Sequence, residues 1–253
     1  MSQANVAQPV GRMIVVASGK GGVGKTWFSI SLAHALARTG RRVLLADADL
    51  GLANIDVQLG IRPERDLAGV LAGKITPAEA ATRLPDAGFD VLAGRSGSGA
   101  LASLSAAALD VFFATLGTAR EQWQDVVVDL GAGIDMPQRR IAAAADLLLV
   151  VATEEPTSLT DAYAVIKLHG LDNPTSVSRV VVNMAEDRAS GQRTYDTLRR
   201  AASVFLKRDI PLAGIIRRDG KVRDAIRHQV PLLTAHPSSA AALDVEKIAQ
   251  ALV

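Results

Sequence analysis

The sequence feature that most limits what this chain can fold into is a glycine-rich octapeptide near its start, Gly19-Lys20-Gly21-Gly22-Val23-Gly24-Lys25-Thr26. It matches the pattern G-x-x-x-x-G-K-[ST], and it stands between an apolar run, Met13 to Ala17, and a stretch with helical spacing, Phe28 to Arg38. In a strand–loop–helix unit of this kind, glycines allow consecutive backbone N–H groups to converge on phosphate oxygens at the positive end of the helix. We therefore predict a phosphate-binding loop in which Lys25 supplies a mobile charge and the Thr26 hydroxyl binds magnesium. A chance glycine-rich turn, the alternative, does not explain the strand before the loop and the helix after it.

Short apolar runs recur along the chain and alternate with Ala-rich stretches of helical spacing. The runs that we interpret as strands are Met13 to Ala17, Arg42 to Ala46, Phe89 to Leu92, Asp125 to Asp129, Leu147 to Ala152, Arg179 to Asn183 and Leu212 to Ile216. The helical stretches are Phe28 to Arg38, Ser105 to Thr118, Ile141 to Ala145, Thr194 to Phe205 and the capped segment Ser238 to Val253. This alternation predicts an α/β fold, a single P-loop NTPase domain with a mainly parallel central sheet flanked by helices on both faces. We expect residues 1–12 to be a flexible tail, residues 13–253 to form the domain, and Gly94 to Gly99 to be a loop at the edge of the site.

Composition excludes several classes of protein. With 253 residues, of which 49% are hydrophobic and 21% charged, the chain can bury a large core and is neither disordered nor fibrous. The absence of cysteine excludes disulfides and thiolate metal sites, and the four histidines lack the spacing of metal ligands. The most apolar stretch, Ile141 to Ala152, is too short to cross a bilayer, and the polar N-terminus does not resemble a secretion signal. We therefore expect a cytoplasmic protein, either free or peripheral at the inner face of the plasma membrane or at the cell pole.

Three aspartates end apolar runs, at the place where parallel strands of such a fold meet their ligands. Asp47 and Asp49 alternate at the end of one run, and Asp129 ends another in the manner of a Walker B strand. Carboxylates are costly to desolvate there unless water, a metal or a base role justifies them, although a helix N-cap explains one of them too. We expect Asp129 to hold magnesium through water, and the backbone N–H of Gly133 to be available to a γ-phosphate.

Two further residues carry chemistry that the loop pattern does not require. Asn183 ends an apolar run, and its amide can read both a donor and an acceptor of adenine, although a turn asparagine fits the residue type equally well. Lys20 is an extra lysine inside the loop, and the residues alone make it no more than a solvated charge.

The segment Lys20 to Thr26 resembles the deviant Walker A motif of the MinD/ParA family of ATPases, and the resemblance extends from about Met13 to near Ala249. In that family the first lysine reaches the partner subunit's nucleotide in a face-to-face dimer, and Lys20 takes this role by resemblance. The family implies an ATP-dependent homodimer that binds ATP or ADP with Mg²⁺ and hydrolyses ATP slowly until a partner stimulates it.

The same resemblance assigns further roles to individual positions. It implies that Asp49 positions the attacking water, that Asp47 supports the magnesium shell and that Asn183 reads adenine. The expected catalytic residues are therefore Lys20, Lys25 and Asp49, and the expected metal-binding residues are Thr26, Asp47 and Asp129.

Two expected nucleotide-binding positions depart from the family pattern. Trp27 replaces the small polar residue that normally follows the loop threonine, so we expect no side-chain contact to the α-phosphate. Arg217 replaces the proline that usually follows the late strand, at the wall of the adenine site.

Three stretches are most similar to the FlhG (FleN) branch of the family, which controls flagellar number and placement: Asp47 to Gly60, Asp129 to Ile134 and Glu155 to Lys167. This similarity implies partners among flagellar assembly proteins, such as the GTPase FlhF, switch-complex proteins or a flagellar transcription activator. The segment of that branch that activates the GTPase has only a weak counterpart in Ser2-Gln3-Ala4, so we do not predict this activation.

Positive charge is concentrated in residues 188–227, which contain eleven Lys/Arg and four Asp, whereas the whole chain has a formal net charge of +2. The basic residues are Arg188, Arg193, Arg199, Arg200, Lys207, Arg208, Arg217, Arg218, Lys221, Arg223 and Arg227. The region fits DNA, an anionic membrane surface or an acidic partner, and it fits solvated helix faces equally well. The last helical segment has Lys247 as its only basic residue, so we expect any membrane contact to need the basic region, a partner or a missing extension.

Two other functions stay open at this stage. One is a ParA/MinD-type positioning ATPase that acts on DNA, the division site or another polar cargo. The other, a metabolic P-loop enzyme or an iron–sulfur carrier, is weaker, because the carrier needs cysteines that are absent and no substrate-pocket signature is evident.

Overall fold

The computed structural model describes residues 10–49, 53–94 and 106–253, and its centre is an eight-stranded sheet in the order β3-β4-β2-β5-β1-β6-β7-β8. The strands are β1 (Arg12–Ala17), β2 (Val43–Ala48), β3 (Thr82–Leu84), β4 (Phe89–Leu92), β5 (Asp125–Leu130), β6 (Leu147–Ala152), β7 (Val177–Ala185) and β8 (Leu212–Arg217). Every neighbouring pair is parallel except β3 and β4. The carboxyl ends of β1, β2, β5 and β7 therefore meet at one edge of the sheet.

Helices connect the strands and cover the sheet. They are α1 (Lys25–Arg38), α2 (Ile55–Leu59), α3 (Leu67–Leu71), α4 (Pro77–Ala80), α5 (Ala106–Gln122), α6 (Met136–Ala143), α7 (Pro156–Asp172), α8 (Arg188–Ala201), α9 (Gly220–His228), α10 (Leu232–Ala235) and α11 (Ala240–Gln250). A π-helical turn, Ala202–Leu206, extends α8. Within the described residues, no helix is both long and apolar enough to cross a membrane.

The sheet is buried on both faces, as its continuous apolar strands require. Along β1, Met13, Val15 and Ala17 face a core that includes side chains of α5, α6, α7 and α8. Ile14 and Val16 face the opposite core, which is built with α1 and α11. The predicted doubly covered α/β sheet is thus confirmed.

All seven predicted strands are present, whereas β3, the 17-residue helix α7 and several short helices were not predicted. β3 has three residues and lies at the antiparallel edge of the sheet, where neither face is fully covered. The final helix begins after its cap Ser239, and the predicted segment Ser238 to Val253 buries Ala242, Val245, Ile248, Ala249 and Leu252.

The first strand begins one residue before the predicted run Met13 to Ala17. Gly11 donates its backbone N–H to the carbonyl of Arg120, and Arg12 opens β1 and pairs with Asp125 at 2.5 Å. Residues 1–9 of the expected tail, most of the expected Gly/Ser loop and Ser105 lie outside the described residues, as do residues 50–52 of the stretch from Asp47 to Gly60.

Candidate nucleotide-binding site

The glycine-rich loop joins β1 to α1, and its backbone needs glycine at particular positions. Gly22 and Gly24 have φ values of 80° and 83°, in the left-handed region that side chains disfavour. A Cβ at Gly24 would also lie 2.5 Å from Asn183 Nδ2 and 2.5 Å from Trp27 Nε1. The loop is therefore closed on one side by these two side chains, and α1 begins immediately after it with Lys25.

The two lysines of the loop point in different directions. The Lys25 side chain is 8% exposed, and its Nζ lies 3.6 Å from Asp129 Oδ1. The Lys20 side chain is 37% exposed, and its Nζ donates to Glu155 Oε2 at 2.5 Å and to Thr157 Oγ1 at 3.0 Å. Lys25 thus lies inside the cradle of its own loop, whereas Lys20 is held at the rim, at the start of α7.

Asp47 and Asp129 are neighbours across the β2–β5 pair, where they occupy the same register position. Asp47 accepts backbone N–H bonds from Asp49 at 3.0 Å, Asn54 at 3.1 Å and Ile55 at 3.2 Å. Burial and, to a lesser extent, the nearby Asp129 raise the pKa of Asp47 to about 7, although the three N–H bonds oppose the shift. The carboxylate is fixed in place by the backbone at the start of α2.

Asp129 is buried and has several partners at the foot of α1. Burial raises its pKa, and the Lys25 ammonium and the hydroxyls of Thr26 and Ser29 oppose the shift. Ser29 donates to Asp129 Oδ1 at 2.9 Å. A clustered pair of carboxylates beside a lysine and hydroxyls has the oxygen chemistry that a divalent cation requires.

Asp49 and Gly133 lie on the side of the loop that faces β5. Asp49 lines a cavity of about 500 Å³ together with the loop, and its Oδ1 would be 3.3 Å from a Cβ at Gly131. The backbone N–H of Gly133 is donated to the carbonyl of Ser18 at 3.0 Å. A contact between Gly133 and a γ-phosphate, which we expected from the sequence, therefore stays a prediction and requires this hydrogen bond to break.

The expected adenine reader lies in an irregular part of β7. The β7–β8 register shifts between Val182 and Ala185, and Met184 in this bulge has a φ of 56°. Asn183 donates its Nδ2 to the carbonyl of Val23 at 2.7 Å, which ties β7 to the loop. Its Oδ1 is buried and has no hydrogen-bond partner within the described residues, so the acceptor half of the amide is available to a ligand.

Arg217 also lies at this end of the site, but its guanidinium is already occupied. It donates to Asp244 Oδ2 at 2.8 Å and to Asp244 Oδ1 at 3.0 Å, and these bonds raise its pKa. Arg217 lines a cavity of about 240 Å³ together with Asn183 and Trp27. It can form a wall of this cavity, and a direct bond to the base stays a prediction.

The two cavities have Trp27, Met184, Val222 and Arg223 in common, so they form one trough. One end has the loop amides, Asp49 and Lys25, whose Nζ lies 3.6 Å from the buried Asp129, and the other end has Asn183. Because phosphates suit the first set of groups and a base suits the second, the trough fits a nucleoside polyphosphate with a magnesium ion. Thr26 and Asp129 are the residues that would hold the ion, and Asp47 would support its water shell.

Sequence reasoning missed some of the residues in this arrangement. Glu155 and Thr157 were noted only as part of a family signature, and their contact with Lys20 spans more than a hundred positions. Ser29 was detectable, because it lies four residues after Lys25 and therefore on the same face of α1. The positions that the sequence did predict all lie at the carboxyl ends of the parallel strands, in the loops that follow them or in the first turn of α1.

Comparison with known proteins agrees with this geometry. The model of the CobQ/CobB/MinD/ParA nucleotide-binding domain matches residues 14–232. The chain belongs to the MinD/ParA family of P-loop ATPases. It is 38% identical to the antiactivator FleN of Pseudomonas aeruginosa, covering 99% of this chain and 89% of that protein. It is 31% identical to the flagellum site-determining protein YlxH of Helicobacter pylori, covering 96% and 82%.

Solved structures of MinD share the fold of this ATPase. The cell division ATPase MinD of Pyrococcus furiosus has a TM-score of 0.81 and 25% identity, with 96% of this chain and 98% of that chain covered. MinD of Pyrococcus horikoshii, solved with Mg-ADP, has a TM-score of 0.77 and 23% identity, with 95% of each chain covered. As a member of this family, the protein is an ATPase that binds ATP or ADP with magnesium.

Proposed function

We propose that this ATPase is a dimerisation switch that regulates the number and placement of flagella. The observation that carries the proposal is the position of Lys20, which is exposed at the rim of the loop and bound to Glu155, while Lys25 occupies the cradle. MinD/ParA ATPases form ATP-dependent dimers, and an exposed second lysine supports a role outside its own subunit. The similarity to FleN and YlxH supports the flagellar assignment over other cargoes.

In this proposal ATP brings two subunits together face to face, and each Lys20 leaves Glu155 to reach the other subunit's nucleotide. Asp49 orients the attacking water, and Lys20 and Lys25 stabilise the charge that develops on the phosphates. Magnesium, when bound through Thr26 and Asp129, neutralises further negative charge on the phosphates. Hydrolysis returns the subunits to the separate state, so the functional result of the reaction is a change of conformation.

Light scattering with ATP and magnesium tests the switch. We expect the wild-type protein to dimerise with ATP and not with ADP, Lys20→Ala to stay monomeric with both, and Asp49→Ala to stay dimeric because hydrolysis is blocked. Dimers of both variants in the absence of ATP would contradict the switch.

Deletion of the gene in its native cell tests the flagellar assignment. We expect the number or position of flagella to change, while the division site and chromosome partition stay normal. Restoration should require Lys20, so a Lys20→Ala gene should not restore the normal number. Normal flagella in cells that divide at the wrong site, or that lose chromosomes, would instead support a MinD- or ParA-like role.

The partners that this proposal implies are flagellar assembly proteins, such as the GTPase FlhF, switch-complex proteins or a flagellar transcription activator. The proposed location is the cytoplasm, with peripheral recruitment to the inner face of the plasma membrane or the cell pole through a partner. Co-purification with the Asp49→Ala variant, which should hold the ATP-bound state, identifies the partner that prefers this state.

A DNA-bound positioning role through residues 188–227 is less favoured. Arg188 and Arg217 both bind the buried carboxylate of Asp244, and Arg208 binds the carbonyl of Pro174. These arginines contribute to the fold, so the region offers less free charge than its composition suggests. Binding to non-specific DNA that requires ATP and weakens steeply with salt would favour this alternative.

A further inference from the structure

Trp27 differs from Trp123, the other tryptophan of the chain, because its indole N–H has no hydrogen-bond partner within the described residues. Its side chain is 6% exposed, and Nε1 is buried without a hydrogen-bond partner within the described residues. The other tryptophan of the chain, Trp123, is 8% exposed, and it donates Nε1 to Asp90 Oδ2 at 2.7 Å. An indole N–H can only donate, and a buried donor is unfavourable unless an acceptor meets it.

The position of this donor indicates which acceptor it meets. Trp27 lies in the first turn of α1 and against Gly24, where a Cβ would approach Nε1 to 2.5 Å. It lines both the cavity around the loop and the cavity around Asn183. A nucleotide can place its terminal phosphates in the loop and its base beside Asn183. The groups between them, which are the α-phosphate and the ribose, then lie next to Trp27.

We propose that the Trp27 indole N–H binds the nucleotide by donating a hydrogen bond to an oxygen of the α-phosphate. The α-phosphate is the anionic acceptor of the two, and hydrogen bonds to anionic oxygens are stronger than those to neutral hydroxyls. In the family, a small polar side chain at the position of Trp27 contacts the α-phosphate. Here the indole N–H of Trp27 replaces that contact. The inference rests on nucleotide binding by the loop and not on the dimerisation switch.

The test compares ADP affinities of the wild-type protein, Trp27→Phe and Trp123→Phe by calorimetry with magnesium present. Trp27→Phe keeps an aromatic ring and removes the N–H, and we expect it to bind ADP about tenfold more weakly or worse, the loss typical of one hydrogen bond to a charged group. Trp123→Phe removes an indole that precedes β5, at the amino-terminal ends of the parallel strands and away from the nucleotide site. We expect this variant to bind ADP as the wild type does. Equal ADP affinity of Trp27→Phe and wild type would overturn the inference.

Nucleotide analogues identify the acceptor. If the N–H meets the α-phosphate, Trp27→Phe weakens ADP, GDP and 2′- or 3′-deoxy-ADP by the same factor. A loss confined to ADP and absent with GDP assigns the contact to the base, and a loss that disappears with a deoxy analogue assigns it to the ribose. Either of these two results overturns the α-phosphate assignment.

An NMR measurement on the wild-type chain keeps the inference testable even if Trp27→Phe does not fold. The chain has two tryptophans, so its ¹⁵N spectrum shows two indole resonances, and Trp123→Phe assigns them. We expect ADP to shift the Trp27 indole proton and slow its exchange with water, while the Trp123 resonance stays in place. An unchanged Trp27 resonance with ADP bound overturns the inference alone, whereas no ADP binding by the wild type overturns nucleotide binding by the loop as well.

Discussion

Lys20 and Glu155 form an ion pair within one subunit, with 2.5 Å between Nζ and Oε2. The Lys20 ammonium lowers the pKa of Glu155, so this carboxyl is ionised at neutral pH. Because this pair holds Lys20 at the rim while Lys25 lies in the cradle, the two lysines should contribute very differently to nucleotide affinity. We expect Lys20→Ala to bind ADP with nearly wild-type affinity and Lys25→Ala to lose about tenfold or more, as measured by calorimetry.

The paired lysines act as controls for each other, since both substitutions remove the same side chain from the same loop. A large loss of ADP affinity in Lys20→Ala would mean that this lysine serves its own nucleotide, and the role in the partner subunit would lose its support.

The glycines of the loop should differ in their tolerance of a methyl group. Gly24→Ala forces a Cβ into Asn183 and Trp27 and keeps a left-handed φ of 83°, so we expect it to lower the free energy of unfolding by about 1–3 kcal/mol. Gly21→Ala has no atom within 4 Å of the added Cβ, so we expect almost no change. Urea unfolding without nucleotide measures both, and equal stability of the two variants would contradict the close packing at Gly24.

The sequence predicted the parts of this site that depend on local chain geometry. The loop, its lysines and the aspartates at the ends of β2 and β5 all follow from a strand that leads into a loop, where residue type and position are read directly. The contact of Lys20 with Glu155, the bond from Asn183 to Val23 and the pairing of Arg217 with Asp244 depend on how distant segments pack. No local pattern encodes these distances, and the short strand β3 likewise depends on its neighbour β4 for its pairing.

Asp129 should be required for the effect of magnesium on nucleotide affinity. It is 1% exposed and lies beside Lys25, Thr26 and Ser29, so an Asn side chain fits but lacks the charge that a divalent cation needs. We expect magnesium to strengthen ADP binding by about tenfold or more in the wild type and hardly at all in Asp129→Asn. Calorimetry with magnesium or with EDTA measures this ratio.

Asp49→Asn is the matched control for that experiment, because it makes the same change of chemical group at a residue that lines the cavity around the loop and is near enough to Asp129 to raise its pKa. We expect it to keep the effect of magnesium and to lose ATP hydrolysis. If the magnesium effect survives in Asp129→Asn and disappears in Asp49→Asn, then Asp49, and not Asp129, is the residue that holds magnesium.

Two buried histidines should make the protein less stable in mild acid. Burial, together with the nearby cations Arg38 and Arg208, lowers the pKa of both His34 and His169 to about 4. An unfolded histidine has a pKa of about 6.5, so between pH 6.5 and 4 the unfolded chain binds protons that the folded chain does not. The stabilising effect of neutral His34 and His169 is therefore complete above pH 6.5 and is lost as the pH falls to about 4.

Each histidine can contribute a slope of at most about 1.4 kcal/mol per pH unit to the free energy of unfolding in this window. We expect His34→Gln and His169→Gln each to flatten the dependence measured by urea unfolding, and the double variant to flatten it most. His228→Gln is the control, because the His228 side chain is 66% exposed. The carboxylates that also lose stability in acid are the same in all variants, so the difference in slope isolates the histidines. A double variant with the wild-type slope would mean that both rings are protonated in the folded protein, against the burial and the missing hydrogen-bond partners of His169.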